Sequence, residues 1–134
     1  MANVLCVDDE ADILDLLDGA LTHRGHRVLQ ARRLSHATAH VRAGRVDALI
    51  VDGLLPDGNG LEWIAQMRDE GFEGPVILFT AFHTDLHSRA SMADCRVGLY
   101  VNKRNMDLAY ALEQMHRAIA GMDVGACCPG RQEI

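Results

Sequence analysis

The sequence has few cysteines, and their spacing excludes the small protein classes that depend on them. Only four occur among 134 residues, too few for a disulfide scaffold in a chain of this size. Cys127 and Cys128 are neighbours, whereas a zinc site would require a second pair at ligand spacing. Cys6 lies in an apolar run and is predicted to be buried. A reduced, cytoplasmic setting is the simplest interpretation.

The chain also lacks a long apolar stretch and a concentration of basic charge. No segment approaches the roughly 20 residues of a membrane span, and the N-terminus lacks the basic flank and apolar core of a secretory signal. The formal net charge is −6 and the thirteen basic residues are scattered, which argues against a nucleic-acid-binding surface. We therefore expect no membrane contact and no direct nucleic-acid binding.

What the chain does contain is a series of short apolar runs that alternate with helical patterns. The run at 48–51 (ALIV) is typical of a strand buried on both faces of a parallel sheet. Further strands are predicted over 3–7, 27–31 (toward an edge), 76–79 and 99–101, and helices over 11–24, 34–43, 61–70, 85–93 and a last one capped by Asn105. Five strand–helix repeats predict an α/β fold, a five-stranded, doubly wound parallel sheet. We expect one domain over 1–120, then a flexible tail or linker over 121–134.

Polar side chains follow the carboxyl ends of four predicted strands. Asp8 and Asp9 follow the first, Asp52 the third, Thr80 the fourth and Lys103 the fifth. In a doubly wound sheet these ends converge on one crevice. Three carboxylates there would repel one another unless a cation lay among them, and Mg²⁺ suits such oxygen ligands. With Mg²⁺, the lysine and the threonine hydroxyl would compensate a phosphoryl group, and a carboxylate can act as the nucleophile that forms an aspartyl phosphate.

Each of these residues also has a simpler explanation. Asp8 and Asp9, with Glu10, would cap the first helix and complement its dipole, and Asp52 would cap its loop. Thr80 would be a strand-end hydroxyl and Lys103 a solvated lysine before a helix. All of these would then have to fall by accident at the ends of the right strands. The joint pattern therefore favours the functional interpretation.

Five separated elements resemble, in order, the receiver domain of two-component response regulators over about residues 3 to 120. They are Asp8-Asp9, Asp52 with Pro56 four residues on, Thr80-Ala81, Tyr100 and Lys103. The resemblance implies a flavodoxin-like (βα)5 fold. It also implies a protein that takes a phosphoryl group from a sensor histidine kinase or a histidine phosphotransfer protein, and so catalyses its own phosphorylation without being a conventional enzyme.

The resemblance implies a role for each residue of the expected acceptor and Mg²⁺ site. Asp52 would be the phosphoacceptor and a metal ligand. Asp9 would bind Mg²⁺, with Asp8 helping directly or through water. The backbone carbonyl of Leu54 would be the third protein ligand.

The resemblance also implies a switch. Thr80 would hydrogen-bond the phosphoryl group and Lys103 would pair with it, so that both act with Asp52 in catalysis. Tyr100 would turn inward when Thr80 moves. The surface of the fourth helix, fifth strand and fifth helix would then change, which is the family's usual face for output to an effector and for homodimer formation.

Two features depart from the usual receiver pattern. Arg104 stands where receivers usually have a proline joined to the lysine by a cis bond, which a non-proline residue strongly disfavours. The loop over 102–106 is therefore expected to differ. Leu54 and Phe82 flank the place where water must attack the phosphoaspartate, and neither can orient that water. Slow self-dephosphorylation is the expected result.

Three alternatives belong to other functional classes. A phosphatase with an aspartyl nucleophile would need a second acid at the same strand end, but Asp52 is followed by Gly53 and Leu54. A phosphorylation-independent interaction module would have lost the acceptor, a metal carboxylate or the lysine, and all are present. A flavodoxin-like cofactor binder would place an anionic phosphate among acidic residues.

Overall fold

A five-stranded parallel sheet forms the centre of the molecule. The computed structural model describes residues 2–81, 93–104 and 107–121. The strand order in the sheet is β2-β1-β3-β4-β5, all parallel, so the strand predicted near an edge does lie at one. This confirms the predicted α/β architecture. The strands are β1 (Asn3–Val7), β2 (Arg27–Ala31), β3 (Ala48–Val51), β4 (Val76–Thr80) and β5 (Leu99–Asn102).

Four described helices flank this sheet. Their bounds agree with the predicted bounds to within a few residues at each end. Most of the helix predicted over 85–93 lies outside the described residues, as does the predicted tail after residue 121. The helices are α1 (Ala11–His23), α2 (Leu34–Arg42), α3 (Gly60–Asp69) and the C-terminal helix (Leu108–Ile119).

The sheet separates two hydrophobic cores. Leu49 and Val51 of β3 face a core that includes residues of α2 and α3, whereas Ile50 faces a core formed with α1 and the C-terminal helix. Successive side chains of a strand point to opposite faces, so a strand with a core on each side must be apolar throughout. Trp63 packs in the first core and donates a hydrogen bond from Nε1 to Thr38 Oγ1 at 2.9 Å, which joins α3 to α2.

The loop after β3 is pressed against the strand that precedes it. A Cβ at residue 60 would lie 2.0 Å from the carbonyl oxygen of Asp52, a distance that no side chain permits. Gly60 N–H donates to Gly53 O at 2.9 Å. The loop also contains a short antiparallel pair, Leu54–Leu55 with Gly58–Asn59. Together these contacts fix where β3 ends and α3 begins.

The prediction that Asn105 caps the last helix is wrong. Asp107 is the N-cap, and its carboxylate accepts a hydrogen bond from Tyr110 N–H at 3.2 Å. Asn105 itself lies outside the described residues. Both side chains favour the N-cap position, and Asp107 is the one that immediately precedes the helical turn.

Candidate functional site

Lys103 joins the ends of β1 and β3. Its Nζ lies 2.5 Å from Asp8 Oδ2 and 3.3 Å from Asp52 Oδ2. The exposed fractions of the three side chains are 8% for the lysine, 3% for Asp8 and 6% for Asp52. The structure thus brings together three of the predicted site residues in a nearly buried cluster at the carboxyl ends of the strands.

Both carboxylates in this cluster divide their oxygens in the same way. Asp8 Oδ1 accepts the N–H of Glu10 at 3.0 Å, and Asp52 Oδ1 accepts that of Leu54 at 3.3 Å. Each carboxylate therefore uses one oxygen to accept the backbone N–H two residues on, and its other oxygen faces Lys103. Two carboxylates share one ammonium, which leaves excess negative charge when both are ionised.

Burial and charge act in opposite directions on the groups of this cluster. Burial raises the pKa of Asp8, although its hydrogen bond to Lys103 and that from Glu10 partly offset the rise. Burial lowers the pKa of Lys103, but the hydrogen bond to Asp8 and the charges of Asp52 and Asp8 outweigh it and leave this pKa raised. The ammonium is therefore firmly charged at neutral pH.

A group of carboxylates that could hold a cation lies next to the lysine. Oxygens of Asp8, Asp9 and Glu10 lie within 4.8 Å of one another, and the side chain of Glu10 is exposed. The backbone carbonyl of Asp9 accepts a hydrogen bond from Arg32 Nη2 at 2.8 Å. Carboxylate oxygens of this kind fit Mg²⁺, which retains several waters when bound. Glu10 was not among the predicted ligands, although it directly follows the two aspartates.

The threonine and the tyrosine occupy the neighbouring strands β4 and β5. Thr80 is fully buried, and its carbonyl accepts the N–H of Lys103 at 2.9 Å. Tyr100 is buried opposite Leu78. Thr80 thus lies beside the lysine at the sheet edge, and the tyrosine lies inward in this structure.

The loop after Lys103 has the ordinary trans geometry. No cis peptide bond occurs among the residues that the structure describes, so the Lys103–Arg104 bond is trans. The side-chain oxygen of Asn102 accepts the N–H of Arg104 at 2.9 Å. The sequence pattern gave no sign of this contact. Of the two apolar residues predicted to flank the site, Leu54 is 50% exposed and Phe82 lies outside the described residues.

The arrangement can be compared with known protein families. The model of the response regulator receiver domain matches residues 4–126. The chain belongs to this family. The family match covers the strand ends at which Asp8, Asp52 and Lys103 of this receiver domain lie.

Curated relatives of this receiver domain are longer proteins. The transcriptional regulatory protein TcrA of Mycobacterium tuberculosis is 38% identical over 78 residues, which is 58% of this chain and 31% of the relative. The response regulator MprA of Mycobacterium leprae is 30% identical over 112 residues, 84% of this chain and 46% of the relative. The matched region is less than half of each of these two relatives.

Solved receiver structures share the fold of this domain. A CheY-like receiver domain protein from Methanospirillum hungatei superposes with a TM-score of 0.80 at 21% identity, covering 90% of this chain and 95% of that one. The non-phosphorylated receiver domain of HemR from Leptospira biflexa gives 0.80 at 23% identity, with the same coverage. These similarities confirm the flavodoxin-like fold. Among the described helices of this receiver domain, none has the length and apolar character needed to cross a membrane.

Proposed function

We propose that this receiver domain accepts a phosphoryl group on Asp52 in a Mg²⁺-dependent reaction. The observation that carries the proposal is the single ammonium of Lys103, held between Asp8 and Asp52 in a nearly buried site. An acceptor carboxylate next to a fixed cation meets the main requirement of phosphoryl transfer, which is electrostatic compensation. The donor is a sensor histidine kinase or a histidine phosphotransfer protein.

Asp52, Lys103 and Thr80 each have a separate role in the phosphoryl transfer. A carboxylate oxygen of Asp52 forms a bond to phosphorus while the phosphorus–nitrogen bond of the donor phosphohistidine breaks. Lys103 pairs with the phosphoryl oxygens, and the hydroxyl of Thr80 donates a hydrogen bond to one of them.

Asp8, Asp9, Asp52 and the carbonyl of Leu54 would hold Mg²⁺, which when bound would neutralise negative charge on the phosphoryl oxygens. The acidic group of Asp8, Asp9 and Glu10 supports this assignment through its chemistry.

The output follows from the same residues. When Thr80 moves toward the phosphoryl group, Tyr100 changes its packing and alters the surface formed by the fourth helix predicted from the sequence (85–93), β5 and the C-terminal helix. One added charge then biases a two-state element. We propose that this face contacts an effector domain or protein, or a second copy of the chain. The site acts in the cytoplasm within a domain that spans 1–120.

Intact-protein mass spectrometry tests the acceptor. The protein is incubated with a small acyl phosphate, with Mg²⁺ or with EDTA, as wild type, as Asp52→Asn and as Asp57→Asn. We expect an adduct of one phosphoryl group in wild type and Asp57→Asn with Mg²⁺ alone, and none in Asp52→Asn. Absence of an adduct under every condition would instead favour an interaction module that works without phosphorylation.

The lifetime of the adduct tests the two apolar flanking residues. Leu54 and Phe82 cannot orient the attacking water, so the phosphorylated state decays slowly. Introducing polar groups as Leu54→Asn and Phe82→Glu should speed the decay, measured by loss of the adduct after the phosphodonor is removed. Unchanged or slower decay in both variants would contradict this explanation.

A further inference from the structure

We propose that Asn102 is a positioning residue that aims Lys103 at the two carboxylates. Its side-chain oxygen accepts the N–H of Arg104 at 2.9 Å, which closes a turn around the lysine. The proposal rests on the proposed function only for its effect on phosphorylation. Its effect on the lysine itself can be measured separately.

The backbone on both sides of Lys103 is anchored. On one side its own N–H donates to the carbonyl of Thr80 at 2.9 Å, which continues the pairing of β4 with β5. On the other side the next N–H, that of Arg104, is held by Asn102. An asparagine side chain that accepts the N–H two residues on forms an Asx turn, a local substitute for a backbone turn. Both peptide groups of the lysine are therefore held.

Asn102 is built into the core of the site. It is the last residue of β5, is 6% exposed and pairs in register with Thr80. A buried amide oxygen that loses its partner, or a buried N–H that loses its acceptor, is costly. The side chain of Asn102 therefore keeps its hydrogen bond to Arg104 N–H, and the pairing of Asn102 with Thr80 joins the turn to the sheet.

The position of the Lys103 ammonium depends on this turn. Because the lysine side chain is flexible, the backbone must fix the point from which it extends. Lysine carries its charge at the end of a four-carbon stem, and here Nζ must meet Asp8 at 2.5 Å and Asp52 at 3.3 Å. The aromatic ring of Phe79, 5.2 Å from Nζ, gives only a weak lateral constraint. Fixing the Cα position and direction is what remains to place the ammonium.

The turn also gives a physical reason for the residue at position 104. A proline has no N–H and could not donate to Asn102. Arg104 supplies that donor in a trans peptide. In this chain an Asx turn therefore shapes the segment in which the family usually has a lysine–proline bond.

Amine labelling measures the environment of Lys103 directly, because it is the single lysine of the 134-residue chain. The protein is treated with the N-hydroxysuccinimide ester of acetic acid in EDTA, without phosphodonor, and the peptide that contains Lys103 is quantified by mass spectrometry. The N-terminal amine serves as the internal reference. In Asn102→Ala we expect labelling about tenfold faster than in wild type, the size of one lost hydrogen bond.

Two further variants distinguish loss of the turn from a general increase in the mobility of this segment. Asn102→Ser retains an oxygen acceptor that can form the equivalent turn, so its labelling should stay within about twofold of wild type. Arg104→Ala retains the N–H and should label as wild type. Equal labelling of Asn102→Ala and wild type would overturn the proposal, as would faster labelling in Arg104→Ala of the same size. If Asn102→Ala does not fold, Asn102→Cys, close in size to serine but a poor acceptor, takes its place in the comparison.

Phosphorylation kinetics then test the consequence for catalysis. In Asn102→Ala the maximal rate with acyl phosphate should fall about tenfold while the half-saturating phosphodonor concentration stays unchanged, because orientation and not binding is impaired. An unchanged maximal rate would overturn the positioning role. If wild type itself takes up no phosphoryl group, the proposed function fails, whereas the labelling result still decides how Lys103 is held.

Discussion

Two cations at opposite ends of the sheet have contrasting surroundings. Lys103, at the carboxyl ends of the strands, contacts two carboxylates. Arg68, at the end of α3, instead donates to four backbone carbonyl oxygens in the segments that precede β4 and β5, at 2.7 to 3.0 Å. The four acceptors are Phe72, Gly74, Cys95 and Arg96.

The pKa shifts reflect this contrast. Burial, followed by repulsion from Arg96, lowers the pKa of Arg68, whereas the neighbouring carboxylates raise that of Lys103 against the effect of burial. The arginine is matched by neutral dipoles and stabilises two loops. The lysine cluster has one carboxylate more than it has cations, and under the proposed function Mg²⁺ would offset this excess of negative charge. We therefore expect changes at the two ends to affect different properties.

The largest expected effect is the loss of stability when Arg68 is replaced. In Arg68→Met four carbonyl oxygens lose their donor, and we expect the free energy of unfolding to fall by about 3 kcal/mol. Urea unfolding at pH 7 measures this. Phosphorylation per folded molecule should stay at the wild-type level. The matched control is Arg42→Met, which removes an exposed ion pair with Glu70 and should lower the free energy of unfolding far less than Arg68→Met, because exposed ion pairs contribute little to stability. A stable Arg68→Met protein that cannot be phosphorylated would break the contrast.

The second-largest expected effect is an increase in the free energy of unfolding. Asp52→Asn removes one of two carboxylates that share an ammonium, so without divalent ions we expect the free energy of unfolding to rise by about 2 kcal/mol. The same variant should lose phosphorylation. Asp15→Asn removes an exposed charge on α1 and controls for net charge. If Asp52→Asn instead lowers the free energy of unfolding in EDTA, the ion pair of Asp52 with Lys103 stabilises the fold, and the prediction is wrong.

The smallest expected effect concerns Asp57, which lies at the same end of the sheet as Lys103. Both of its carboxylate oxygens accept hydrogen bonds from backbone N–H groups. Asp57 accepts the N–H groups of Leu34 and Ser35 at 2.9 and 3.1 Å, and these bonds, led by that to Leu34, lower its pKa. It caps α2, so Asp57→Ala should cost about 1 kcal/mol at pH 7.

The pH dependence of that cost has a definite sign. Because the native pKa of Asp57 is lowered from 3.8, its contribution is present above the unfolded pKa and is lost as the pH falls through the native value. Unfolding curves at pH 7, 5 and 3 should therefore show a gap between wild type and Asp57→Ala that narrows only at the acidic end. A gap that narrows already between pH 7 and 5 would contradict the assignment.

The fold was predictable because each central strand is an unbroken apolar run. The run at 48–51 must be buried on both faces, and the polar residues just after such runs were therefore expected to meet. Asp8, Asp52 and Lys103 do meet. Their contacts follow from topology, since the carboxyl ends of parallel strands share one edge of the sheet.

Other contacts could not be predicted, because no pattern in the sequence identifies the groups that take part in them. The acceptors of Arg68 are backbone carbonyls, which every residue carries. Asp57 caps a helix that begins 23 residues earlier in the chain. Asn105 and Asp107 are both good cap residues two positions apart, and only the start of the helical turn decides between them. In each case the geometry of the backbone selects the partner.

The close approach of Gly60 to the carbonyl of Asp52 links the variation of two positions. A side chain at residue 60 would displace the peptide group of residue 52, the proposed acceptor position, whatever residue stands there. In a mutational library selected for folding alone, position 60 should therefore retain glycine even where the aspartate has been replaced. Selection for signalling would add a constraint on residue 52 but none on residue 60, so the two kinds of selection would separate the residue that performs the chemistry from the residue that makes room for it.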